Sequence, residues 1–520
     1  MTKTIPPPTG PYVTATETVH WTTDIDDKKA APNGLLVKIW YPIDADKLHK
    51  DVKKSRYMPK EMFPYMWNIL KPMPKVVVKT HIMNARTNSY TTNKHVQHRR
   101  TAISLLHRKH YEQKPGAHAP YIPISSQRDS YPVIIFSHGL YGVPEHYTYI
   151  CENMASNGYV VIAPYHTDGS SLAVLYPTGD HLDFDAYRSD FYSTDQIRQQ
   201  DELVKKKIGP DGKRLSFSDL AEHEDSYTYR NHQLKIRVRN IKSVLCKLQF
   251  LELEPKPSEF PPSGHMNLDK IGIMGHSFGG ATAISSMLFL DQTRTDVLTL
   301  KCCCALDSYL FPMAPVEEFD LNGYNEKFEK FRTRIQRFRK HPSPMLFLNS
   351  DEWQWEKNIN RMKYLSDLCG EKVNDEEIKG TKHHNFDDAS ILFPHISRLG
   401  KQIGSSDPEI AGRELITKVE NFFSVNLAKQ GYRSLRDGTL TTVTQTITTI
   451  APLDSSTTLI RTEMLEDGDT TPKRFEQVVP NASFVPFISA VSESANQSIL
   501  CDMPPTFSDA EMREMFGPQV

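Results

Sequence analysis

Short apolar runs alternate with helix-like segments through the middle of the chain. The runs are Val133–Phe136, Val160–Ala163, Ile271–Met274, Cys302–Leu306 and Met345–Leu348. Between them stand segments with helical spacing, such as Tyr147–Ser156 and Ile236–Leu253. Continuous apolar strands joined through helices are typical of a parallel sheet that is buried on both faces. The pattern therefore predicts an α/β fold with a central, mostly parallel sheet and helices on both faces.

The segments outside this core have different patterns. Tyr12–Trp21 and Leu35–Pro42 are extended and predict an antiparallel N-terminal edge of the sheet. Two predicted insertions interrupt the core, an irregular basic one at about 43–130 and a charged one at about 177–230. Within the first, Arg99–His110 has the pattern of a short basic amphipathic helix, for which we favour a surface helix over contact with an anionic membrane.

The composition changes near residue 432. A helix at Ile410–Leu427 is predicted to close the core, and the sequence after it is rich in Thr and Ser without clear periodicity. We therefore predict a catalytic domain over 1–432 and a mostly disordered tail over 433–520.

Charge and hydropathy exclude several classes of protein. The 520 residues include 62 Lys and Arg against 63 Asp and Glu, so no net field would attract nucleic acid. The mean hydropathy of −0.49 suits a soluble protein, and no apolar run approaches the roughly 18–20 residues of a transmembrane segment. The N-terminus has no visible signal peptide, and Cys302–Cys304 have the pattern of reduced core residues. We expect a cytoplasmic protein, peripheral at membranes if it binds them.

Gly275–Gly279 reads Gly-His-Ser-Phe-Gly, directly after a predicted strand and before a predicted helix at Ala281–Leu290. This is the context that the nucleophile-elbow motif of an α/β-hydrolase fold requires. The glycines permit a turn too tight for a Cβ atom, which leaves Ser277 at the apex. We therefore predict that Ser277 is a catalytic nucleophile.

A nucleophilic serine needs a base, and the base needs a carboxylate. In this fold both follow the serine in the chain. The candidate bases are His383, His384 and His395, with the pair at 383–384 favoured by its position near the end of the core. Asp307 and Asp351 each follow a predicted strand, and spacing alone does not choose between them.

The oxyanion hole needs two N–H donors. The residue after the nucleophile supplies one, Phe278, and the loop after Val133–Phe136 offers the N–H of Leu140. His138 in that loop precedes the nucleophile, which favours a structural role over a catalytic one. The sequence has no motif for a metal or a nucleotide cofactor, so we predict neither.

Five blocks resemble the platelet-activating factor acetylhydrolase family, which includes the plasma and intracellular type II enzymes. They are Phe136–Leu140, Gly275–Thr282, Ala305–Pro312, Phe347–Ser350 and Gly380–Phe386, in family order. The resemblance implies that Ser277 is the nucleophile, Asp307 the acid and His383 the base, with Leu140 and Phe278 forming the oxyanion hole. His384 and Tyr309 depart from the family pattern, in which Gln and Trp are usual.

The resemblance also implies a function. It is the calcium-independent hydrolysis of a short or oxidised sn-2 acyl ester of platelet-activating factor and related phospholipids, at a membrane or lipid-particle surface. Two alternatives stay open: a general carboxylesterase acting on soluble esters, and a catalytically silent lipid- or protein-binding module. Oligomeric state is not predicted.

Overall fold

The computed structural model describes most of the chain in segments. These are residues 5–22, 31–48, 53–69, 85–91, 122–206, 224–290, 298–313, 343–351, 353, 356–369, 373–427, 433–434, 441–452, 457–466 and 473–480. The chain divides into two compact units, Met1–Leu427 and Ala428–Val520, close to the boundary expected after residue 432.

The first unit is built on a ten-stranded sheet. Its strands, with the separate hairpin β7–β8, are β1 (Val13–Trp21), β2 (Leu35–Ile43), β3 (Lys53–Arg56), β4 (Arg86–Thr91), β5 (Tyr131–Ser137), β6 (Val160–Pro164), β7 (Ala173–Leu175), β8 (His181–Asp183), β9 (Met266–His276), β10 (Leu300–Leu306), β11 (Met345–Ser350) and β12 (Val373–Ile378). The spatial order is β12-β11-β10-β9-β5-β6-β2-β1-β4-β3.

The centre of the sheet is parallel, as predicted. All neighbours from β12 to β6 run parallel, whereas β2 pairs antiparallel with both β6 and β1. The N-terminal segments thus form two antiparallel strands, as their extended pattern indicated, but β4 and β3 lie outside them, so they are not the edge of the sheet. The five predicted apolar runs all lie within parallel strands, and this confirms the α/β-hydrolase fold class.

Helices cover both faces of the sheet. They are α1 (Phe63–Ile69), α2 (Thr148–Ser156), α3 (Thr194–Lys206), α4 (Glu224–Leu253), α5 (Phe278–Phe289), α6 (Glu356–Cys369), α7 (Ala389–Leu392), α8 (Pro394–Leu399) and α9 (Pro408–Asn426). Apolar residues of α4, α5 and α6 pack in one core cluster, and those of α2 and α9 in the other. Val133 and Ile135 of β5 point into the first cluster, and Ile134 and Phe136 into the second. This alternation explains why the central strands are apolar at every position.

The predicted insertion at about 43–130 contributes two strands to the sheet, β3 and β4. Their sequences show no apolar alternation because the buried side chains of β4 are the polar Thr87 and Ser89. Glu152 of α2 accepts the backbone N–H of Ser89 at 2.6 Å, and Thr14 bonds the Ser89 hydroxyl at 2.8 Å. Burial of satisfied polar groups has no hydrophobic signature, so this edge escaped prediction. The predicted basic helix at 99–110 lies outside the described residues.

The charged insertion at about 177–230 also has regular structure where it is described. It contains β8 and α3, and α4 begins at Glu224, well before the predicted start at Ile236. Arg188 pairs with Asp201 at 2.7 Å, and Arg230 with Asp185 at 3.3 Å. Polar pairs of this kind hold the segment in place of apolar contacts. The scarcity of apolar residues is the reason why the sequence predicted a charged insertion here.

The second unit differs from the expectation of a mostly disordered tail. It contains an antiparallel sheet of four strands in sequence order, β13 (Arg433–Ser434), β14 (Thr441–Pro452), β15 (Thr457–Glu466) and β16 (Lys473–Pro480). Thr, Ile and Val dominate β14, and these β-branched residues favour extended backbone. The Thr-rich composition thus predicted disorder where it encodes strands. Residues 481–520 lie outside the described part. Within the described residues, no helix combines the length and apolar character needed to cross a membrane.

Leu346 and Leu253 offer a matched test of this core. Leu346 of β11 is 1% exposed, whereas Leu253 at the end of α4 is 77% exposed. We expect Leu346→Ala to lower the free energy of unfolding by about 2–5 kcal/mol, because it leaves a cavity between sheet and helices. Leu253→Ala should change it by less than about 0.5 kcal/mol. Urea denaturation followed by circular dichroism measures both, and equal effects would contradict the placement of β11 inside the sheet.

Candidate active site

Ser277 stands at a sharp turn between β9 and α5. Its φ of +58° lies in a region that non-glycine residues rarely adopt. A Cβ atom at Gly275 would lie 2.1 Å from the Gly279 carbonyl oxygen, and one at Gly279 would lie 1.9 Å from that of Ser137. Both positions therefore admit only glycine, which is the steric reason expected for the Gly-x-Ser-x-Gly pattern.

The backbone of Ser277 is tied to the next strand. Its N–H donates to the Leu306 carbonyl at 2.9 Å, and its own carbonyl accepts the N–H of Tyr309 at 2.9 Å. Asp307 lies between these two partners in the chain. The turn that carries the serine and the turn that carries the aspartate are thus held together as one unit.

Asp307 is fully buried and directed at a histidine. Its φ of +39° turns the chain sharply after β10. The carboxylate accepts the N–H of Ser350 at 2.5 Å and its hydroxyl at 2.7 Å, and Oδ2 lies 3.1 Å from Nδ1 of His383. With the Nδ1 proton held by this carboxylate, Nε2 of His383 keeps a lone pair that can accept a proton.

Two aromatic rings hold the imidazole of His383 in place. Trp353 stacks on it with ring centroids 3.9 Å apart and planes within 9°, and the Trp353 indole N–H donates to the Ser308 carbonyl at 3.2 Å. His276, the residue before the nucleophile, has its ring centroid 4.4 Å from that of His383. This packing leaves the imidazole little freedom to rotate away from the serine.

Burial sets the charge of the site. It lowers the pKa of His383 to about 3, with the neighbouring His384 as a smaller cause, so that the imidazole is neutral at pH 7. Burial also raises the pKa of Asp307 to about 6, although the hydrogen bonds from Ser350 act in the opposite direction. At neutral pH the pair is therefore an ionised carboxylate and a neutral imidazole, which are the states that a general base requires.

The alternative acid and bases have other partners. Asp351 accepts the backbone N–H of Gly380 at 2.8 Å and so anchors the start of the histidine loop. His384 donates through Nδ1 to Asp387 at 2.6 Å, and His395 is exposed on α8. Among the described residues, the structure thus joins Asp307 to His383 and ties the Asp307 turn to the Ser277 turn, while the catalytic roles of the three residues stay predictions.

The loop after β5 lies against the nucleophile. A Cβ atom at Gly139 would come within 3.2 Å of the Ser277 Cβ. The Gly139 N–H donates to the Tyr147 hydroxyl at 3.0 Å, whereas within the described segments the N–H of Leu140 has no hydrogen-bond partner. The N–H of Phe278 is one of the unpaired donors at the start of α5. Both predicted oxyanion donors are therefore available to a ligand.

A buried network of charged and polar side chains supports the loop after β5. Arg237 of α4 donates to the His138 carbonyl at 2.6 Å and pairs with Asp168 at 2.9 Å, and all three residues are fully buried. Ser170 lies 2.6 Å from the same guanidinium. His138 is thus part of the support of the loop, in line with the structural role favoured from its position.

Sequence reasoning missed Tyr147, Arg237 and Asp388. Tyr147 bridges Gly139 to Nδ1 of His276 at 3.0 Å, and Asp388 accepts the first two N–H groups of α2 at 2.7 and 3.1 Å, which ties the histidine loop to the oxyanion loop. The only signals were one of several basic residues on α4 and an acid five residues after His383. Neither signal indicates which residue the side chain contacts.

A family model described as platelet-activating factor acetylhydrolase, isoform II, matches residues 92–322 and 329–434. Leu140, Ser277, Phe278, Asp307 and His383 all lie within the matched ranges. The family match thus includes every residue of the predicted triad and oxyanion hole.

Curated relatives carry the same name. A platelet-activating factor acetylhydrolase of Bos taurus is 30% identical over 280 residues, which are 52% of this chain and 50% of the relative. One of Gallus gallus is 25% identical over 323 residues, covering 60% and 66%. The chain thus spans about half to two thirds of the length of these relatives. Among solved structures, a ferulic acid esterase of Streptomyces cinnamoneus aligns with a TM-score of 0.47 at 17% identity, covering 82% of this chain and 93% of the esterase.

The charge states of Asp307 and His383 predict a pH profile for Ser277. We expect the rate at which a fluorophosphonate labels Ser277 to be constant above about pH 7 and to fall about tenfold per pH unit below pH 6, because protonated Asp307 no longer holds the His383 Nδ1 proton. Gel fluorescence of the labelled protein measures the rate. Asp307→Asn is the control: a break near pH 6 that persists in this variant would assign it to another group.

Proposed function

Since the chain belongs to the platelet-activating factor acetylhydrolase isoform II family, we propose that it is a serine-dependent carboxylic ester hydrolase acting on phospholipids. Its substrates would be platelet-activating factor and related lipids with a short or oxidised sn-2 acyl chain, and its products a lyso-phospholipid and a carboxylate. The observation that carries this proposal is the Asp307–His383 hydrogen bond beside the elbow at Ser277.

In the proposed first half-reaction, Ser277 is acylated. His383 Nε2 takes the hydroxyl proton of Ser277 while Oγ attacks the ester carbonyl carbon. The carbonyl oxygen becomes negative and is received by the N–H groups of Leu140 and Phe278, at the positive end of the α5 dipole. Collapse of this intermediate breaks the ester bond, and His383 returns the proton to the departing glycerol oxygen. A lyso-phospholipid leaves, and Ser277 carries the acyl group.

Deacylation repeats the same steps with water. His383 removes a proton from a water molecule, whose oxygen attacks the acyl carbonyl, and the oxyanion again binds at Leu140 and Phe278. The proton then returns to Ser277 Oγ as the carboxylate leaves. Asp307 stabilises the imidazolium that forms in each half-reaction, so it is needed twice in each turnover.

Calcium independence is part of the proposal. Calcium binds six to eight oxygen ligands. The cluster that His276, His383 and Asp307 form among the described residues offers one carboxylate and two imidazoles, and that carboxylate already accepts two bonds from Ser350. The nucleophile is activated by His383 and needs no Lewis acid. We further propose that the substrate is met at a membrane or lipid-particle surface, as the family resemblance implies. The buried free cysteines at 302–304 support a reducing compartment, and we propose the cytoplasm.

The substrate class can be tested with phospholipids of graded sn-2 chain length in vesicles, against monomeric p-nitrophenyl acetate. We expect kcat/KM to fall at least tenfold between acetyl and long unmodified acyl chains, and to depend on the headgroup. Release of lyso-phospholipid, followed by mass spectrometry, measures both. Indifference to headgroup would favour a general carboxylesterase, and no turnover of any ester would favour a silent binding module. Ser277→Ala should abolish turnover.

Two isosteric substitutions test the acid. Asp307→Asn should lower kcat by about 10³–10⁴, because the amide cannot hold the required tautomer of His383. Asp351→Asn keeps an oxygen acceptor for the Gly380 N–H and should cost less than about tenfold. Steady-state rates on the acetyl substrate decide the matter. A larger loss in the Asp351 variant would indicate that Asp351 is the acid and Asp307 is not.

A further inference from the structure

His276 is a buried histidine that the proposed mechanism does not use. It is 2% exposed, and its Nδ1 lies 3.0 Å from the Tyr147 hydroxyl. Its Nε2 is buried with no hydrogen-bond partner among the described residues. A buried polar atom left unpaired is unfavourable. An unpaired ring nitrogen beside a reactive serine is therefore a candidate ligand atom.

His276 lies close to two members of the proposed triad. One ring nitrogen of His276, one of His383 and one carboxylate oxygen of Asp307 all lie within 4.8 Å of one another. Four-coordinate zinc places its nitrogen and oxygen ligands about 3.3 Å apart, at metal–ligand distances of about 2.0–2.2 Å. The His383–Asp307 pair already meets this spacing at 3.1 Å. Only small side-chain movements would bring all three atoms onto one ion.

The donors suit zinc and not the alkaline-earth ions. Two imidazoles and a carboxylate are a frequent set of protein ligands for catalytic zinc, whereas calcium and magnesium require oxygen donors. Tyr147 holds the second nitrogen of His276, the kind of outer contact that orients metal ligands.

We propose that His276, His383 and Asp307 form an inhibitory site for Zn²⁺ within the active site. The ion takes the place of the proton shared by His383 Nδ1 and Asp307, and that proton moves to Nε2 of the same ring. Nε2 then carries hydrogen and cannot accept the hydroxyl proton of Ser277. A fourth zinc position remains for water or for the serine oxygen. Inhibition rests on the proposed function, whereas binding of the ion does not.

The test uses the untagged full-length chain with Ser277→Ala, so that binding is measured without turnover. Isothermal titration with ZnCl₂ should give one saturable site, and CaCl₂ and MgCl₂ should give none. Adding His276→Asn, which keeps a polar group for Tyr147 but removes Nε2, should weaken zinc binding at least tenfold. His384→Gln removes the adjacent imidazole, which faces Asp387, and should change the affinity less than twofold.

Three binding results would overturn the proposal. They are the absence of saturable zinc binding, an unchanged affinity in the His276→Asn variant, and a loss of binding in the His384→Gln variant, which would put the ion on the exposed His384–Asp387 pair. If the His276 variant fails to fold, X-ray absorption of the zinc-loaded Ser277→Ala protein decides. Two imidazoles with oxygen ligands support the site, and any other imidazole count or a sulfur ligand contradicts it.

Inhibition is read separately on the protein with Ser277 intact. Micromolar ZnCl₂ should slow fluorophosphonate labelling of Ser277 at least tenfold, EDTA should restore it, and CaCl₂ should have no effect. Unchanged labelling at saturating zinc would overturn the inhibitory role. If no ester is ever turned over, the proposed function fails, and the zinc titration still stands or falls by itself.

Discussion

Two backbone hydrogen bonds tie the turn that follows β9 to the turn that follows β10, and the active site is built around them. Ser277 donates to Leu306 and accepts from Tyr309, which compensates a backbone conformation that costs about 1–3 kcal/mol in a residue with a side chain. Because Asp307 lies between those partners, the strained backbone at Ser277 is offset by hydrogen bonds to the chain that carries Asp307. The position of one is therefore coupled to the position of the other, before any side chain is considered.

The histidine loop reaches this pair from further along the chain and is fixed by carboxylates at both ends. Asp351 accepts an N–H at its start, and Asp388 caps α2 at its end. Asp351 follows β11 and α2 follows the loop after β5, so the histidine loop cannot shift without breaking hydrogen bonds to both. The imidazole itself is neutral because it is buried, and it stays oriented because Asp307 and Trp353 contact it from different directions. Burial thus sets the charge state of the imidazole, and these two contacts set its orientation.

The central strands and the elbow could be predicted because each has a local cause. Strands buried on both faces must be apolar throughout, and the elbow at Gly275–Gly279 admits no Cβ. The acid could not be chosen in this way, since Asp307 and Asp351 both follow parallel strands and differ only in a turn at φ +39° and in contacts across the sheet. The strand β4 was missed because its inward side chains are Thr and Ser. The Thr-rich composition of the β14 segment also predicted disorder, whereas the structure has a strand there.

Because Trp353 stacks on His383, its fluorescence would respond to the charge of the His383 imidazole. An indole 3.9 Å from an imidazole emits differently when that imidazole becomes cationic, since a positive ring over its face draws on the same π electrons. Emission from Trp353 would therefore follow the proton on the base in real time, with no added dye and no substrate analogue. The contact that restricts the ring would thus also give a light signal for a change in its charge.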